Sequence, residues 1–137
     1  MNAYYIDTSI WMDLIEERKG YKNEPLWIFA TKLFILIKLK QCPLLITTLL
    51  MEELSTRYST SEINSMMTPF KNNLIKINIS EKQKQEAKLI AKERNLPTGD
   101  VLHAIVARDN DAILITRDKH FNQLKDVHPH FKPEDLI

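Results

Sequence analysis

Residues 96–124 read LPTGDVLHAIVARDNDAILITRDKHFNQL. Within them, residues 100–109 have the apolar spacing of one helical face, and residues 112–116 form the apolar, β-branched run of a buried strand. One acid, Asp100, stands at the start of that helix, and a second, Asp118, follows the strand. A helix that leads into a buried strand is typical of an α/β domain with a parallel sheet.

The remainder of the chain repeats this alternation of helices and short strands. Strands are predicted at residues 3–6, 44–47, 74–79 and 112–116, with a further short one within 127–137. Helices are predicted between Asp7 and Gly20 and at residues 25–40, 48–57, 59–70, 80–95 and 100–109. Thr48 is the predicted cap of the third helix, and Ser80 with Gln83 forms a capping box for the fifth. We expect a single domain over residues 1–137, an α/β fold whose central parallel sheet of four to five strands is flanked by helices.

The composition argues against several classes of protein. The net charge is +1, from 19 Lys and Arg against 18 Asp and Glu, which excludes a histone-like polycation and an acidic tail. The single cysteine, Cys42, excludes an internal disulfide and argues against a zinc site built on thiolates. The longest apolar run, residues 26–39, is shorter than the roughly 20 residues of a membrane span. We therefore expect no membrane segment, no signal peptide and a cytoplasmic location.

Four acids stand near the ends of the predicted strands: Asp7 after the first, Glu53 on the helix after the second, Asp100 in a first helical turn, and Asp118 after the fourth. Parallel strands end at one edge of a sheet, where ligands gather. Two unit charges about 5 Å apart repel by roughly 3 kcal/mol at an effective dielectric constant near 20. Clustered carboxylates therefore need a cation, and Mg²⁺ or Mn²⁺ suits oxygen ligands. Such a site fits metal-dependent phosphodiester hydrolysis.

Each acid has a simpler interpretation when it is taken alone. Asp7 is placed to cap a helix, and Asp118 is placed to stabilise a turn. Asp100 suits the helix dipole, whereas Glu53, beside Glu52, suits a solvated face. The prediction of a shared metal pocket rests on the joint placement of the four acids.

Two other phosphate chemistries begin with an acid after the first strand, and the motifs argue against both. A phosphoryl-transfer enzyme of the haloacid-dehalogenase type needs Asp-x-Asp, but the second position here is Ser9. A receiver-like signalling domain needs a phospho-accepting Asp at a middle strand end, and residues 74–80, LIKINIS, contain none.

Four blocks of the chain resemble the PIN-domain family of metal-dependent ribonucleases, over nearly the whole length. YYIDTSIW at 4–11 matches the family's strand–Asp–Thr/Ser–Ser opening, and ITTLLMEEL at 46–54 is similar to its second-acid helix. Residues 96–124 carry the D-x-x-H-A helix and the T-x-D-x-x-F strand end, the most specific of the blocks. FKPEDLI at 131–137 resembles the family's closing segment.

The resemblance assigns the acids in order. It implies Asp7 as the first acid, Asp100 as the third and Asp118 as the fourth. Glu53 is the expected second acid because Leu54 follows it, with Glu52 as its competitor.

The resemblance also implies supporting residues. Ser9 and Thr116 match small polar positions that support the acids or the attacking water. His120 stands near the place of a variable extra acid, which leaves the number of metal ions open.

The family resemblance implies a function as well. Small stand-alone members are mostly toxins of VapBC-type toxin–antitoxin pairs. We therefore expect a Mg²⁺-dependent endoribonuclease, with Mn²⁺ as a substitute, that acts on RNA, binds a cognate antitoxin and forms a homodimer. The alternatives are an RNA-processing PIN nuclease without an antitoxin and a non-catalytic PIN-like scaffold that binds RNA or protein.

Candidate RNA contacts are cations near the predicted acids. Arg117 and Lys119 flank Asp118, and Arg57 lies one turn beyond Glu53. His103 is expected to be a packed helix residue rather than a ligand. Setting four acids aside leaves 19 positive and 14 negative charges, a mildly basic remainder of +5 that suits RNA. The apolar helix at 26–39 is expected to serve also as a homodimer or antitoxin interface.

Overall fold

The sheet of the computed structural model, which describes residues 2–137, is entirely parallel. Its strands are β1 (Ala3–Ile6), β2 (Leu44–Ile46), β3 (Leu74–Lys76), β4 (Ala112–Ile115) and β5 (His130–Phe131). Their order across the sheet is β3-β2-β1-β4-β5. The predicted parallel sheet of four to five strands is thus confirmed and has five, and the central position of β1 places Asp7 in the middle of the edge where the strands end.

Helices flank the sheet on both faces. They are α1 (Thr8–Glu16), α2 (Leu26–Leu39), α3 (Thr48–Ser55), α4 (Thr60–Met67), α5 (Glu81–Arg94) and α6 (Thr98–Asp109). Short 3₁₀ segments follow at Thr68–Phe70, Lys119–Gln123 and Pro133–Asp135. No helix in the described range is long and apolar enough to cross a membrane.

Two hydrophobic cores lie on the two faces of the sheet because successive strand residues point to opposite sides. Ile6 of β1 packs into the core that contains Trp11 and Phe34. Its neighbour Tyr5 packs into the other core, against α6 residues such as Ile105. Tyr5 is therefore the β1 side chain that faces α6.

Several element ends differ from the sequence prediction. The cap of α3 is Thr47 rather than Thr48, because the Thr47 hydroxyl accepts a hydrogen bond from the backbone N–H of Leu50 at 3.1 Å. Helix α1 ends at Glu16, before Gly20, where Glu17 adopts a left-handed conformation with φ of 50°. The capping box of Ser80 is present as predicted.

Candidate metal centre

Two groups of ligating side chains lie where the strands end. One comprises Asp7, Glu53 and His103, and the other comprises Asp100, Asp118 and His120; within each group the candidate ligand atoms lie within 4.8 Å of one another. We name them the buried group and the exposed group after their imidazoles, because His103 is buried and His120 is exposed. The four predicted acids all line one open cavity of about 580 Å³. Asp7 and Asp118, which are 111 positions apart in the sequence, therefore line the same cavity.

Asp7 occupies the N-cap position of α1, but its side chain does not cap the helix. Its Oδ2 instead accepts hydrogen bonds from the hydroxyls of Thr116 at 2.8 Å and Ser9 at 3.0 Å. The capping interpretation of Asp7 is therefore wrong. Both small polar residues that the sequence singled out hold the first acid in place.

Glu53 is fixed by two donors on different helices. Its Oε1 accepts from the Thr8 hydroxyl at 2.7 Å and from His103 Nε2 at 2.8 Å. Burial alone would raise the pKa of Glu53, but the hydrogen bond and charge of His103, with the Thr8 bond, hold that pKa below its usual value. Glu53 is thus ionised at neutral pH. The neighbouring Glu52 is exposed and does not line the cavity.

His103 is the buried support of this carboxylate. Its Nδ1 lies 2.7 Å from the Tyr5 hydroxyl, which in turn lies 2.8 Å from the Thr47 hydroxyl. Burial opposes the charged imidazole, but the hydrogen bond and charge of Glu53 outweigh it, so the pKa of His103 is raised. In its protonated form His103 would donate to Glu53 from Nε2 and to Tyr5 from Nδ1. His103 is buried, as expected of a packed helix residue, and its bond to Glu53 was not predicted from the sequence.

A close backbone approach completes the surroundings of Glu53. A Cβ placed on Gly99 would lie 3.2 Å from Glu53 Oε2, tighter than ordinary contact. Gly99 therefore leaves room for the second oxygen of Glu53 beside the first turn of α6, from which Asp100 also enters the cavity.

The exposed group is joined through one imidazole. His120 Nδ1 lies 2.9 Å from Asp100 Oδ2 and 3.0 Å from Asp118 Oδ1. Burial, followed by the charges of Asp118 and Asp7, raises the pKa of Asp100 to about 6. The charge of Asp118, followed by Asp100, raises the pKa of His120.

The donor set fits a hard divalent cation. No Lys or Arg in residues 2–137 forms an ion pair with any of the four acids, and the basic side chains that do contact them there are the two imidazoles. Carboxylate oxygens, together with water, are the ligands that Mg²⁺ and Mn²⁺ prefer. Asp7, Glu53, Asp100 and Asp118 are the residues that would hold such an ion.

The three predicted RNA-binding cations lie in different surroundings. Arg57 lines the cavity, with its guanidinium paired to Glu16 at 2.6 and 2.8 Å. Lys119 is exposed and lines a smaller cavity that Asp118 also borders. Arg117 is not brought to the acidic cavity.

The Arg117 guanidinium is held elsewhere by two carboxylates. It donates to Asp13 at 3.0 Å and to Glu134 at 2.7 and 2.8 Å. The side chain is only 15% exposed, and Asp13 is buried beside it. Arg117 therefore ties the C-terminal segment to α1, and its guanidinium is already paired with two carboxylates rather than free for a phosphate.

Comparison with known protein families places the chain among relatives. The PIN domain family model matches residues 4–127. The chain belongs to the PIN domain family. PIN domains are generally nucleases. No protein of curated function matches this PIN domain in sequence.

Solved structures share the fold of this PIN domain. One is VapBC2 from Rickettsia felis bound to a DNA fragment from their promoter, with 18% identity, a TM-score of 0.67, and coverage of 95% of this chain and 98% of that one. A toxin–antitoxin complex from Klebsiella pneumoniae has 20% identity, a TM-score of 0.65, and coverage of 95% and 97%. FitAcB from Neisseria gonorrhoeae has 15% identity, a TM-score of 0.60, and coverage of 97% and 99%. These likenesses show a shared fold.

Proposed function

We propose that this PIN domain is a Mg²⁺-dependent endoribonuclease and the toxin of a type II toxin–antitoxin pair. The observation that carries the proposal is the meeting of Asp7, Glu53, Asp100 and Asp118 in one cavity that no Lys or Arg of residues 2–137 neutralises by an ion pair. Carboxylates in such numbers are costly to keep ionised without a cation. Mn²⁺ is the expected substitute for Mg²⁺.

The proposed reaction is hydrolysis of the P–O3′ bond of RNA, which leaves a 5′-phosphate and a 3′-hydroxyl. A bound divalent cation supplies Lewis-acid stabilisation of phosphoryl charge and acidifies water. The chain's own contribution is positioning. Thr116 and Ser9 hold the Asp7 carboxylate, and His103 with Thr8 holds Glu53.

The toxin role depends on partners. A structure that shares this fold is a toxin–antitoxin complex, and small stand-alone PIN domains are mostly toxins. On α2, Ile35 and Leu39 are 50% and 77% exposed, and we propose that this face meets the antitoxin or a second copy of the chain. Toxicity on expression, relieved by a small neighbouring open reading frame, would support the toxin role. Cleavage without toxicity would favour an RNA-processing nuclease.

The test of the nuclease is metal-dependent cleavage by purified protein. Asp7→Asn and Asp118→Asn are each expected to lower the cleavage rate more than about a hundredfold, because loss of an outer partner alone costs 10–100-fold. The free energy of unfolding should change far less. Asp111→Asn makes the same chemical change at an exposed position before β4, so it should cleave like the wild type.

Cleavage that persists in EDTA, or in both variants of the acidic cavity, would refute the metal-dependent reaction. RNA binding without any cleavage in Mg²⁺ or Mn²⁺ would favour the non-catalytic scaffold.

A further inference from the structure

The turn between α1 and α2 presents a fully exposed aromatic side chain among cations. Tyr21 is the most exposed large hydrophobic residue in the described range. Arg18, Lys19 and Lys22 surround it in sequence, and Lys19 and Lys22 are exposed. An aromatic ring beside lysines is the combination that binds single-stranded nucleic acid, by stacking on a base and by pairing with phosphates.

Backbone hydrogen bonds give this turn a defined conformation. The Gly20 N–H donates to the Glu24 carbonyl at 2.9 Å, and the Asn23 N–H donates to the Gly20 carbonyl at 2.9 Å. Asn23 adopts a left-handed conformation with φ of 62°. These bonds close the turn around Tyr21, so its ring is presented outward by a defined backbone. Such preorganisation lowers the entropy lost when a ligand binds.

The turn is connected to the acidic cavity through Arg18. Arg18 lines that cavity and also a second one of about 580 Å³, whose walls include Lys19, Tyr21 and Lys132. A third cavity of about 250 Å³ shares Lys132 with the second and Asp118 with the first. The exposed turn and the acidic cavity therefore border depressions that share lining residues.

Three lysines along these depressions are free to meet an anion. Lys19, Lys119 and Lys132 are exposed, and none forms an ion pair with any residue in the part of the chain that the structure describes. We name these three residues the lysine track. The acidic cavity itself repels phosphates until a cation binds, so adjoining positive charge is needed to hold an RNA backbone there.

We propose that single-stranded RNA binds beside the acidic cavity with its backbone on the lysine track and one base stacked on Tyr21. This subsite rests on the proposed ribonuclease function. RNA is favoured over an acidic protein partner because the track borders Asp118, where the scissile phosphate has to lie, and because a bare ring face suits a base.

The experiment measures binding without cleavage. Fluorescence anisotropy of a labelled single-stranded RNA of mixed sequence is recorded in Mg²⁺, with Asp7→Asn as the parent protein. Tyr21→Ala is expected to weaken binding about 5- to 100-fold, the range for removal of one stacked base, whereas Tyr21→Trp should retain it. Leu89→Ala, which removes an exposed apolar side chain from α5, is the matched control and should bind like the parent.

The lysine track is tested by the salt dependence of binding. The slope of log affinity against log salt should fall by about 0.7 for each phosphate that a lysine no longer neutralises, so Lys19→Gln with Lys132→Gln should lower it by about 1.4. Lys40→Gln with Lys71→Gln removes the same charge at exposed positions just before β2 and β3, at the opposite edge of the sheet, and should leave the slope unchanged.

Several outcomes would overturn this subsite. One is equal RNA binding by Tyr21→Ala and the parent, and another is an unchanged salt slope in Lys19→Gln with Lys132→Gln. A third is that these variants weaken binding to the antitoxin but not to RNA. Wild-type cleavage of RNA in the same preparation separates the two proposals. If the wild type cleaves and Tyr21→Ala binds RNA normally, the subsite is wrong and the nuclease stands; if nothing is cleaved, the nuclease itself fails.

Discussion

The buried and exposed groups of the candidate metal centre are held together in different ways. In the buried group, hydroxyls of Thr8, Ser9 and Thr116 donate to the carboxylates, and His103 is enclosed by the fold. In the exposed group, one imidazole that is 48% exposed lies between two carboxylates. The first arrangement depends on packing, and the second depends on a balance of charge.

The buried group is therefore held rigidly, whereas the exposed group responds to changes in charge. Directional hydrogen bonds from the hydroxyls of half-buried Thr8 and Ser9 and of buried Thr116 fix Asp7 and Glu53 whether or not a cation is present. The exposed group depends on the charges of Asp100, Asp118 and His120, so pH and metal will act on it first. Thr116 joins the two groups, because its hydroxyl donates to Asp7 and accepts the Asp118 N–H at 3.1 Å.

The largest expected effect comes from removing the buried imidazole. His103→Ala leaves the Glu53 carboxylate and the Tyr5 hydroxyl without their shared partner, and it opens a cavity beside them. Breaking a buried pair in this way costs about 3 kcal/mol in free energy of unfolding. His120→Ala, in the exposed group, is the matched control and should change that free energy little. Urea denaturation of both variants measures the difference. Similar losses of stability in both would show that the groups are supported alike.

The positions of the acids in the fold could be predicted from local sequence patterns. Asp7 and Asp118 were predictable because they follow strands β1 and β4, whose alternation and apolar runs are local patterns. Asp100 was placed correctly in the first turn of α6. Local pattern therefore located the acids and the edge at which they meet.

Partners across the fold were not predictable in the same way. His103 contacts Glu53, 50 positions earlier, and Tyr5, 98 positions earlier. Arg117 sits beside Asp118 in sequence, yet its side chain turns to Glu134 and Asp13. Side-chain direction at a strand end depends on tertiary partners, which sequence spacing does not contain. One usable signal for His103 was its position three residues after Asp100, on the same helical face.

The second expected effect comes from cutting the link between the two groups. Thr116→Val keeps the shape of the side chain but removes its donor to Asp7 and its acceptor for the Asp118 N–H. Loss of such an outer partner is expected to lower metal affinity or the cleavage rate 10–100-fold. Isothermal titration with Mn²⁺ and the cleavage assay both measure it.

Ser9→Ala is the control for Thr116→Val. It removes only the 3.0 Å bond to Asp7 and leaves the Thr116 bond, so its effect should be smaller. An equal or larger effect of Ser9→Ala would mean that the link to Asp118 contributes nothing.

The smallest expected effect is a pH dependence that belongs to the exposed group. The pKa of Asp100 is about 6, so this carboxyl is mostly ionised at about pH 7 and mostly protonated at about pH 5. Metal binding must then displace a proton, and the Asp100 contribution should lower Mn²⁺ affinity about tenfold over that range. Isothermal titration at the two pH values measures it, and Asp100→Asn should lose this part of the dependence. A wild-type affinity that is constant over the range would contradict it.

The same proton has the opposite effect on the metal-free fold. Because the pKa of Asp100 is raised on folding, the native protein takes up a proton at a pH where the unfolded chain does not. The free energy of unfolding of the wild type, measured against Asp100→Asn, should therefore rise as pH falls from about 6 towards about 4. Acid thus stabilises the metal-free protein at Asp100 while it weakens metal binding there. If the difference in free energy of unfolding between the two proteins stays constant over this range, the pKa of Asp100 is not raised in the folded protein.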